Sequence, residues 1–497
     1  MKSVLGIDVG TGGSRVVVVT DDGRVIASAT VEHAPFASPR TGWAEQEPED
    51  WWRASRQAIR EALSASKIEA SSIRAIGLSG QMHGAVLVDD AGAVVRPALI
   101  WCDQRTEAEG RWLTDTIGAA RLLELTSNPA LTNFTLTKLL WVRTHEPDAW
   151  RRVRRVLLPK DFVRLRLSGE YATDMADASG TLMLDVTHRR WSQEIVDAAG
   201  LDASMLPRLF ESPDICARVS ATAAAGTGLT EGTPIVAGAG DQAAGAVGMG
   251  ITRPGAVSAT IGTSGVVFAA TDRPARDPGG RLHTFCHAIP DRWHVMGVTQ
   301  AAGLSLRWMR EQLGLKELGD EGYALMTREA AAIAPGADGV LWAPYLMGER
   351  TPHLDPRIRA ALVGLAANHT RGHIFRAVLE GVAFSLRDSF TIFNDLSVPV
   401  QRVRLGGGGA RSPLWREIQA NVYGHAVETV DADEGAAYGA ALLAGVGAGL
   451  WPSVDEACDR LVRSTVAAKP DAATVAVMNE RYAAYRRVYP ALRQISR

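Results

Sequence analysis

Two stretches half a chain apart carry the same structural instruction, and nothing else in the sequence limits the fold as much. Gly6–Val19 (GIDVGTGGSRVVVV) and Ile261–Ala270 (IGTSGVVFAA) each run from an apolar strand through a glycine-rich turn into a second apolar strand. Each heads a half of about the same length, the mark of an internal repeat. A chain of 497 residues is also longer than one hydrophobic core usually supports. The expectation is therefore two related α/β domains. Gly and Pro cluster in GAVGMGITRPGA, residues 245–256, which puts the division at 1–248 and 249–497.

The first copy poses a chemical problem. Val4–Gly10 reads as a strand, RVVVV from Arg15 as its return, and DDGR at Asp21–Arg24 as the next hairpin, an antiparallel meander. Alternation sends Leu5, Ile7 and Val9 to one face and Gly6, Asp8 and Gly10 to the other. Either Asp8 caps its own turn, or it meets a cation, a metal-bound water or several N–H donors, since an unpaired buried carboxylate is costly. Gly10, Thr11, Gly12, Gly13 and Ser14 offer N–H groups and hydroxyls in a bend, which is what a phosphate needs. The turn matches neither GxxxxGK[ST] nor GxGxxG, so an ordinary hairpin stays open for it alone. Its echo at Gly262, Thr263, Ser264 and Gly265 supplies a second turn able to approach the same phosphate chain from the opposite domain.

Other segments add candidates. TPIVAGAGDQAAGAVG runs from a strand into a small-residue helix, so Asp241 either N-caps that helix or serves as a general base at a strand end above a glycine-lined cleft. Gly406–Gly409 in RLGGGGARSPLW follow a strand and admit close approach of a flat or charged ligand. QMHG ends the strand IRAIGLSG, and AVLVDDAGAVV after it reads as a hairpin. DWWRASRQAIREAL predicts a helix capped by Asp50, with Trp52, Ile59 and Leu63 inward. Gly435–Trp451 is too short and too rich in Gly and Ala for a membrane span and predicts a tightly packed interior helix. HTFCH places His283, Cys286 and His287 on a strand whose alternation divides them, a poor zinc site.

Charge narrows the function class. The formal net charge is −2 with 22% charged residues, which disfavours polyanion binding. The densest basic run, WRRVRRVLL, lacks interleaved aromatics and reads as a solvated helix end. Cys102, Cys216, Cys286 and Cys458 are scattered, which points to a reduced, cytoplasmic setting, and Asp8 interrupts any signal-peptide core.

GIDVGTGG, GAGDQAAGAVG, TIGTSG and LGGGGARS, in this order, resemble the FGGY carbohydrate kinases over nearly the whole chain. These are sugar and polyol kinases of the actin, hexokinase and heat-shock chaperone ATPase superfamily. WAEQEPEDWW, GQMHGAVLVD, ALIWCDQR, KLLWV, LLPKDFVRLRLSGE, FCHAIP and PYLMGERTPH bring the resemblance closest to the members that phosphorylate D-xylulose. The Gln-Met-His loop sets it apart from the glycerol kinases.

The resemblance implies two ribonuclease H-like (actin/hexokinase-type ATPase) domains flanking a deep cleft, with sugar bound mainly by the first and ATP by the second. It casts Asp241 as the catalytic base and Asp8 as the handler of Mg²⁺, through water. Gln81, Met82, His83, Trp101 and Asp103 would contact the sugar. Thr11, Gly12, Gly13, Ser14, Gly262, Thr263, Gly407, Gly408 and Gly409 would lie along the nucleotide. The helix N-terminus beside Asp241 is expected to keep it ionised and weaken its basicity. Three positions depart from the family pattern: Gly12 stands where a hydroxyl residue is usual, Arg15 where Lys is frequent, and Cys102 where Asn is common. The implied partner is a small-molecule sugar, with no nucleic acid or membrane and with a homodimer compatible. Ribulose or another ketose or polyol is the alternative acceptor, and a non-kinase actin-like ATPase the alternative class.

Overall fold

The computed structural model describes residues 2–431 and 435–495. Both glycine turns join antiparallel strands at the centre of a sheet. In the first sheet Ser3–Val9 pairs antiparallel with Gly13–Thr20, which pairs with Val25–Glu32. On its other edge Ser3–Val9 runs parallel to Ile73–Gly80, followed by Pro234–Val236 and Ile215–Arg218.

The second sheet repeats the plan. Gly255–Ile261 pairs antiparallel with Gly265–Thr271, which pairs with Trp293–Thr299, and parallel with Val400–Gly407. Val427–Val430 and Ser464–Ala468 extend one edge, and His283–Cys286 the other. Each sheet thus places a strand ending in its glycine turn beside a parallel neighbour, and such neighbouring strand ends form the crevice where α/β folds bind ligands.

The small-residue helix Gly435–Gly447 follows most of the second sheet in sequence yet packs on the first. Its composition explains how. A Cβ on Gly6 or Gly77 would stand 2.0 Å from the carbonyl oxygens of Ala437 and Ala440 respectively, and one on Gly439 would stand 1.8 Å from Ala244 O in the helix Asp241–Gly248. Helix and sheet backbones touch directly, which only glycine permits. Elsewhere, the core beneath the first sheet gathers Leu5, Ile7 and Val9 with Trp51 and Ile59. The second sheet packs on the long helix Arg371–Asp395. A third cluster joins Phe134 and Leu139 from the first half to Phe268, Phe285 and Met296 from the second.

Several local expectations are corrected. The helix expected from Asp50 starts at Pro48 with Glu47 in the cap position, because Pro48 supplies the preset φ of a first helical residue. Asp50 lies inside the first turn, where it accepts the Ala34 N–H at 2.7 Å. Trp51, not Trp52, is the inward indole, and Leu63 is only half-buried. In WRRVRRVLL, Arg151 and Arg152 follow the short helix Pro147–Trp150, but Arg155–Leu157 is a strand paired with Val86–Val88. By contrast, the AVLVDDAGAVV hairpin is present, held by Asp89 N–H to Ala93 O (3.0 Å) and Val95 N–H to Leu87 O (2.9 Å), with Val88 bridging Val94. No helix is long and apolar enough to cross a membrane among the described residues.

Candidate active site

A cavity of about 400 Å³ lies between the two sheets, with Asp8, Asp241 and Gln242 on one wall and Thr260, Gly406 and Gly407 on the other. Asp8, one residue before the end of its strand, lies on the face that alternation predicts, away from Leu5, Ile7 and Val9. Ser79 Oγ donates to Asp8 Oδ1 at 2.9 Å. Burial raises the Asp8 pKa against the lowering effects of Ser79 and Arg15.

Asp241 is the first residue of its helix, and the cap position belongs to Gly240. The N-cap reading therefore gives way. The expected weakening of its basicity is also reversed: burial first, and the Asp8 charge second, push the Asp241 pKa up to about 7, against hydrogen bonding from Gln242. Desolvation outweighs the helix terminus because the carboxyl faces a second carboxylate in a low-dielectric wall.

The glycine turns divide by accessibility. Gly262 and Thr263 are exposed, and the helix Gly303–Gln312 docks behind them through Gly303 N–H to Gly262 O (2.8 Å) and Leu304 N–H to Thr263 O (3.1 Å). Gly407 holds φ +69°, and a Cβ there would come within 2.5 Å of Ile261 O. Gly407 and Gly408 are exposed, whereas Gly409 is buried against Ile261, so its missing side chain serves packing.

In the first turn Gly12 is exposed and Gly13 half-buried against Val31. The Ser14 hydroxyl faces away from Asp8, meeting His33 Nε2 and Ser55 Oγ at 2.9 Å each. Strand alternation turns it into the core, leaving only its backbone to a ligand. Thr11 Oγ1 donates to Gln81 Oε1 at 3.2 Å and accepts the Trp101 indole N–H at 2.9 Å, which links the first turn to the polar loop.

That loop lies beside Asp241. A Cβ on Gly240 would stand 2.8 Å from Met82 Cγ. His83 adopts φ +67°, and its Nδ1 lies 2.7 Å from Gly180 O. Burial is the main reason that its pKa falls to about 3, so the ring is neutral. Gln81 is buried, with Nε2 donating to Gln46 Oε1 at 2.9 Å. Trp101 is 37% exposed. Asp103 departs from its expected place at the sugar. It is fully buried, and both oxygens are occupied by the Arg105 guanidinium and the N–H groups of Ala44 and Arg105, so it orders the loop from behind.

Three features escaped the sequence reading. Gln46 bridges Gln81 and Thr11 O (2.7 Å) from the short strand Glu45–Gln46, inside the WAEQEPEDWW stretch, to which the sequence reading gives no site role. Lys138 is fully buried, and its Nζ donates to His83 O (2.8 Å) and Asn133 O (2.6 Å). Burial, opposed by Asp103, draws its pKa down to about 7. Lys160 sits among Asp161, Asp174 and Asp177 at 2.6, 2.6 and 3.3 Å, all four fully buried, and its Cβ abuts Gly80. Contacts like these depend on residues distant in sequence, and only KLLWV and LLPKDF hinted that these lysines mattered.

Histidines elsewhere are committed to structure. His283 Nδ1 meets Asn128 Oδ1 (3.0 Å), and His287 Nε2 meets Ile251 O (2.9 Å). Asp338, His369 and His373 stand at metal-ligand spacing. However, Nδ1 of His369 accepts the Ala366 N–H and Nδ1 of His373 the Thr370 N–H. Each neutral ring then carries its proton on Nε2, where a metal would need a lone pair.

Comparison with known proteins bears on the whole chain. The family model described as "FGGY family of carbohydrate kinases, N-terminal domain" matches residues 3–248, and its C-terminal counterpart matches 257–448. The chain is 39% identical over 489 residues to the xylulose kinase of Bacillus subtilis (strain 168), covering 98% of this chain and 97% of the relative. It is 37% identical over 489 residues to the xylulose kinase of Escherichia coli (strain K12), covering 98% and 99%. The crystal structure of xylulose kinase from Rhodospirillum rubrum aligns over 100% of both chains with a TM-score of 0.92 at 31% identity.

Proposed function

Given that the chain belongs to the FGGY family of carbohydrate kinases, with the two-domain α/β fold of that family's sugar kinases, we propose that it converts D-xylulose and ATP to D-xylulose 5-phosphate and ADP. The observation that carries this reading is the juxtaposition of Asp241, with a pKa of about 7, Asp8, and the Met82–His83 loop abutting Gly240 at one end of a glycine-walled cavity. Residues 1–248 form the sugar-binding domain and residues 249–497 the nucleotide-binding domain. The reaction belongs to the cytoplasm.

Asp241 accepts the proton of the terminal hydroxyl as the oxygen–phosphorus bond forms and ADP departs. A base with a pKa near the operating pH is well matched to that transfer. The exposed turn segments at Gly262–Thr263 and Gly407–Gly408 cradle the phosphates, with the Gly262 N–H itself spent on Ser264 O at 3.0 Å. The Gly407 backbone can approach them because no Cβ intervenes.

Asp8 and Asp241 together suit a hard divalent cation, since they are oxygen donors whose mutual repulsion raises the Asp241 pKa. Asp8 would hold Mg²⁺ through water, and the ion, when bound, neutralises charge developing on the phosphates. A coupled ADP-release assay over a panel of ketoses, aldoses and polyols tests the assignment. D-Xylulose should give the highest kcat/KM, and a clear preference for ribulose or a polyol would replace the assigned acceptor.

A further inference from the structure

The segment between Leu341–Ala343 and the cis peptide Thr351–Pro352 holds a cation in place without giving it a partner. The chain is pinned on both sides of Arg350. Glu349 and Asp355 exchange backbone hydrogen bonds of 2.9 and 2.8 Å. Thr351 N–H donates to Val298 O at 2.9 Å, and Thr351 Oγ1 accepts the Val298 N–H at 3.0 Å.

The adjacent carboxylate is the obvious mate for the guanidinium, but it is turned inward and fully used. Glu349 Oε1 accepts the N–H groups of Gln300 and Arg350 itself at 2.9 Å each, and Oε2 accepts the hydroxyls of Thr299 (2.6 Å) and Ser385 (3.2 Å). Among the described residues the Arg350 guanidinium makes no hydrogen bond or ion pair. The residue is nevertheless only partly exposed.

The polar loop of the first half lies nearby. Thr351, the next residue, donates its hydroxyl to Arg281 O at 2.8 Å, two residues before His283. The His283 ring stacks on Phe285 with centroids 5.6 Å apart, and Phe285 in turn lies 6.0 Å from the His83 ring. After burial, the Arg350 charge also lowers the basicity of both imidazoles. Both imidazoles are neutral and neither supplies an anion. Arg350 lies outside the wall of the cavity that holds Asp8 and Asp241, as do Gln81, Met82 and His83. A guanidinium has five donors and no acceptor, and a half-buried one without acceptors is unfavourable until something supplies oxygen atoms.

We propose that Arg350 is a sugar-binding residue whose guanidinium donates hydrogen bonds to oxygen atoms of the ketose held at the His83 loop. The second domain then takes part in recognising the acceptor. Sugar binding would favour the closed arrangement of the two domains, because the ligand contacts both.

This inference rests on the kinase reading, and the test separates the two. Initial rates of wild type, Arg350→Gln and Arg350→Lys are measured with D-xylulose and ATP varied in turn. Calorimetric titration of D-xylulose without nucleotide runs alongside. Losing a charge-assisted hydrogen bond should raise KM and Kd for the sugar by roughly 10- to 100-fold in Arg350→Gln, with KM for ATP within about two-fold. Arg350→Lys keeps the charge but not the fork and should fall between.

Unchanged sugar KM and Kd in a folded Arg350→Gln overturn the proposal, as does an equal rise in KM for ATP. If Arg350→Gln does not fold, Arg350→Lys decides by the same criteria. Wild-type protein that turns over no ketose defeats the kinase reading instead, and the titration then still reports whether Arg350 binds sugar.

Discussion

Asp241 answers to two opposing demands, basicity and burial. With a pKa of about 7, it must lose its proton to act, so kcat/KM should rise about ten-fold per pH unit below 7 and level off above it. Steady-state rates between pH 5 and 9 check this. Asp241→Asn should lower kcat by roughly 10²–10⁴. The same substitution should stabilise the fold, and the sign follows from linkage. A carboxyl whose folded pKa is raised costs nothing while protonated in both states, and its penalty grows above the unfolded value near 4 until it is complete above about 7. Asp241→Asn should therefore raise the thermal midpoint at pH 8 and leave it unchanged at pH 4. In the acceptor loop, His83→Ala should raise KM for D-xylulose more than KM for ATP in initial-rate measurements. Gly12, the departure in the first turn, has nothing within 4 Å of its Cβ position and no positive φ. Neither packing nor backbone conformation therefore demands a glycine there.

At the scale of elements, the tightest joint is the crossing of Asp241–Gly248 over Gly435–Gly447, which carries the proposed base. Gly439→Ala inserts a methyl into Ala244 O and forces the helices apart. Overpacking of this kind costs about 1–3 kcal/mol, measurable as a lower denaturation midpoint, and should reduce kcat as Asp241 shifts. The Lys160 cluster is a second joint. Arg164 pairs with Asp161 at 2.6 Å and also donates to Ala237 O on the approach to Asp241. Lys160→Met leaves buried carboxylates uncompensated, a loss of about 3–5 kcal/mol by chemical denaturation. That loss falls chiefly on Asp161, whose pKa, against the effect of burial, is lowered by Lys160 and Arg164, whereas burial raises the pKa of Asp174 and Asp177.

For the whole molecule, the two halves meet in an aromatic and histidine cluster. His294 stacks on Phe268 with ring centroids 4.2 Å apart and is fully buried. Burial holds its pKa well below 6.5, so the unfolded chain takes up a proton there before the folded one does. Stability is therefore lost as pH falls below about 6.5. His294→Phe should remove that dependence, worth about 1.4 kcal/mol per pH unit, and show a shallower fall in thermal midpoint between pH 7 and 5. Much of the architecture was legible in the chain. The paired glycine turns, the face of Asp8 and the packing of Gly435–Gly447 follow from strand alternation and residue size, which are local properties. The site was legible only as a set of candidates. Ser14 and Asp103 carry suitable chemistry, but tertiary contacts with His33, Ser55, Ala44 and Arg105 occupy it. Gln46, Lys138 and Arg350 gain meaning only from neighbours far away in sequence. The protonation of Asp241 was likewise beyond reach, since helix position argues one way while burial and the Asp8 charge, both products of folding, argue the other and win. Sequence specifies backbone period, turn chemistry and which groups are available; solvent exclusion and charge proximity, which decide what those groups do, exist only once the two sheets face each other.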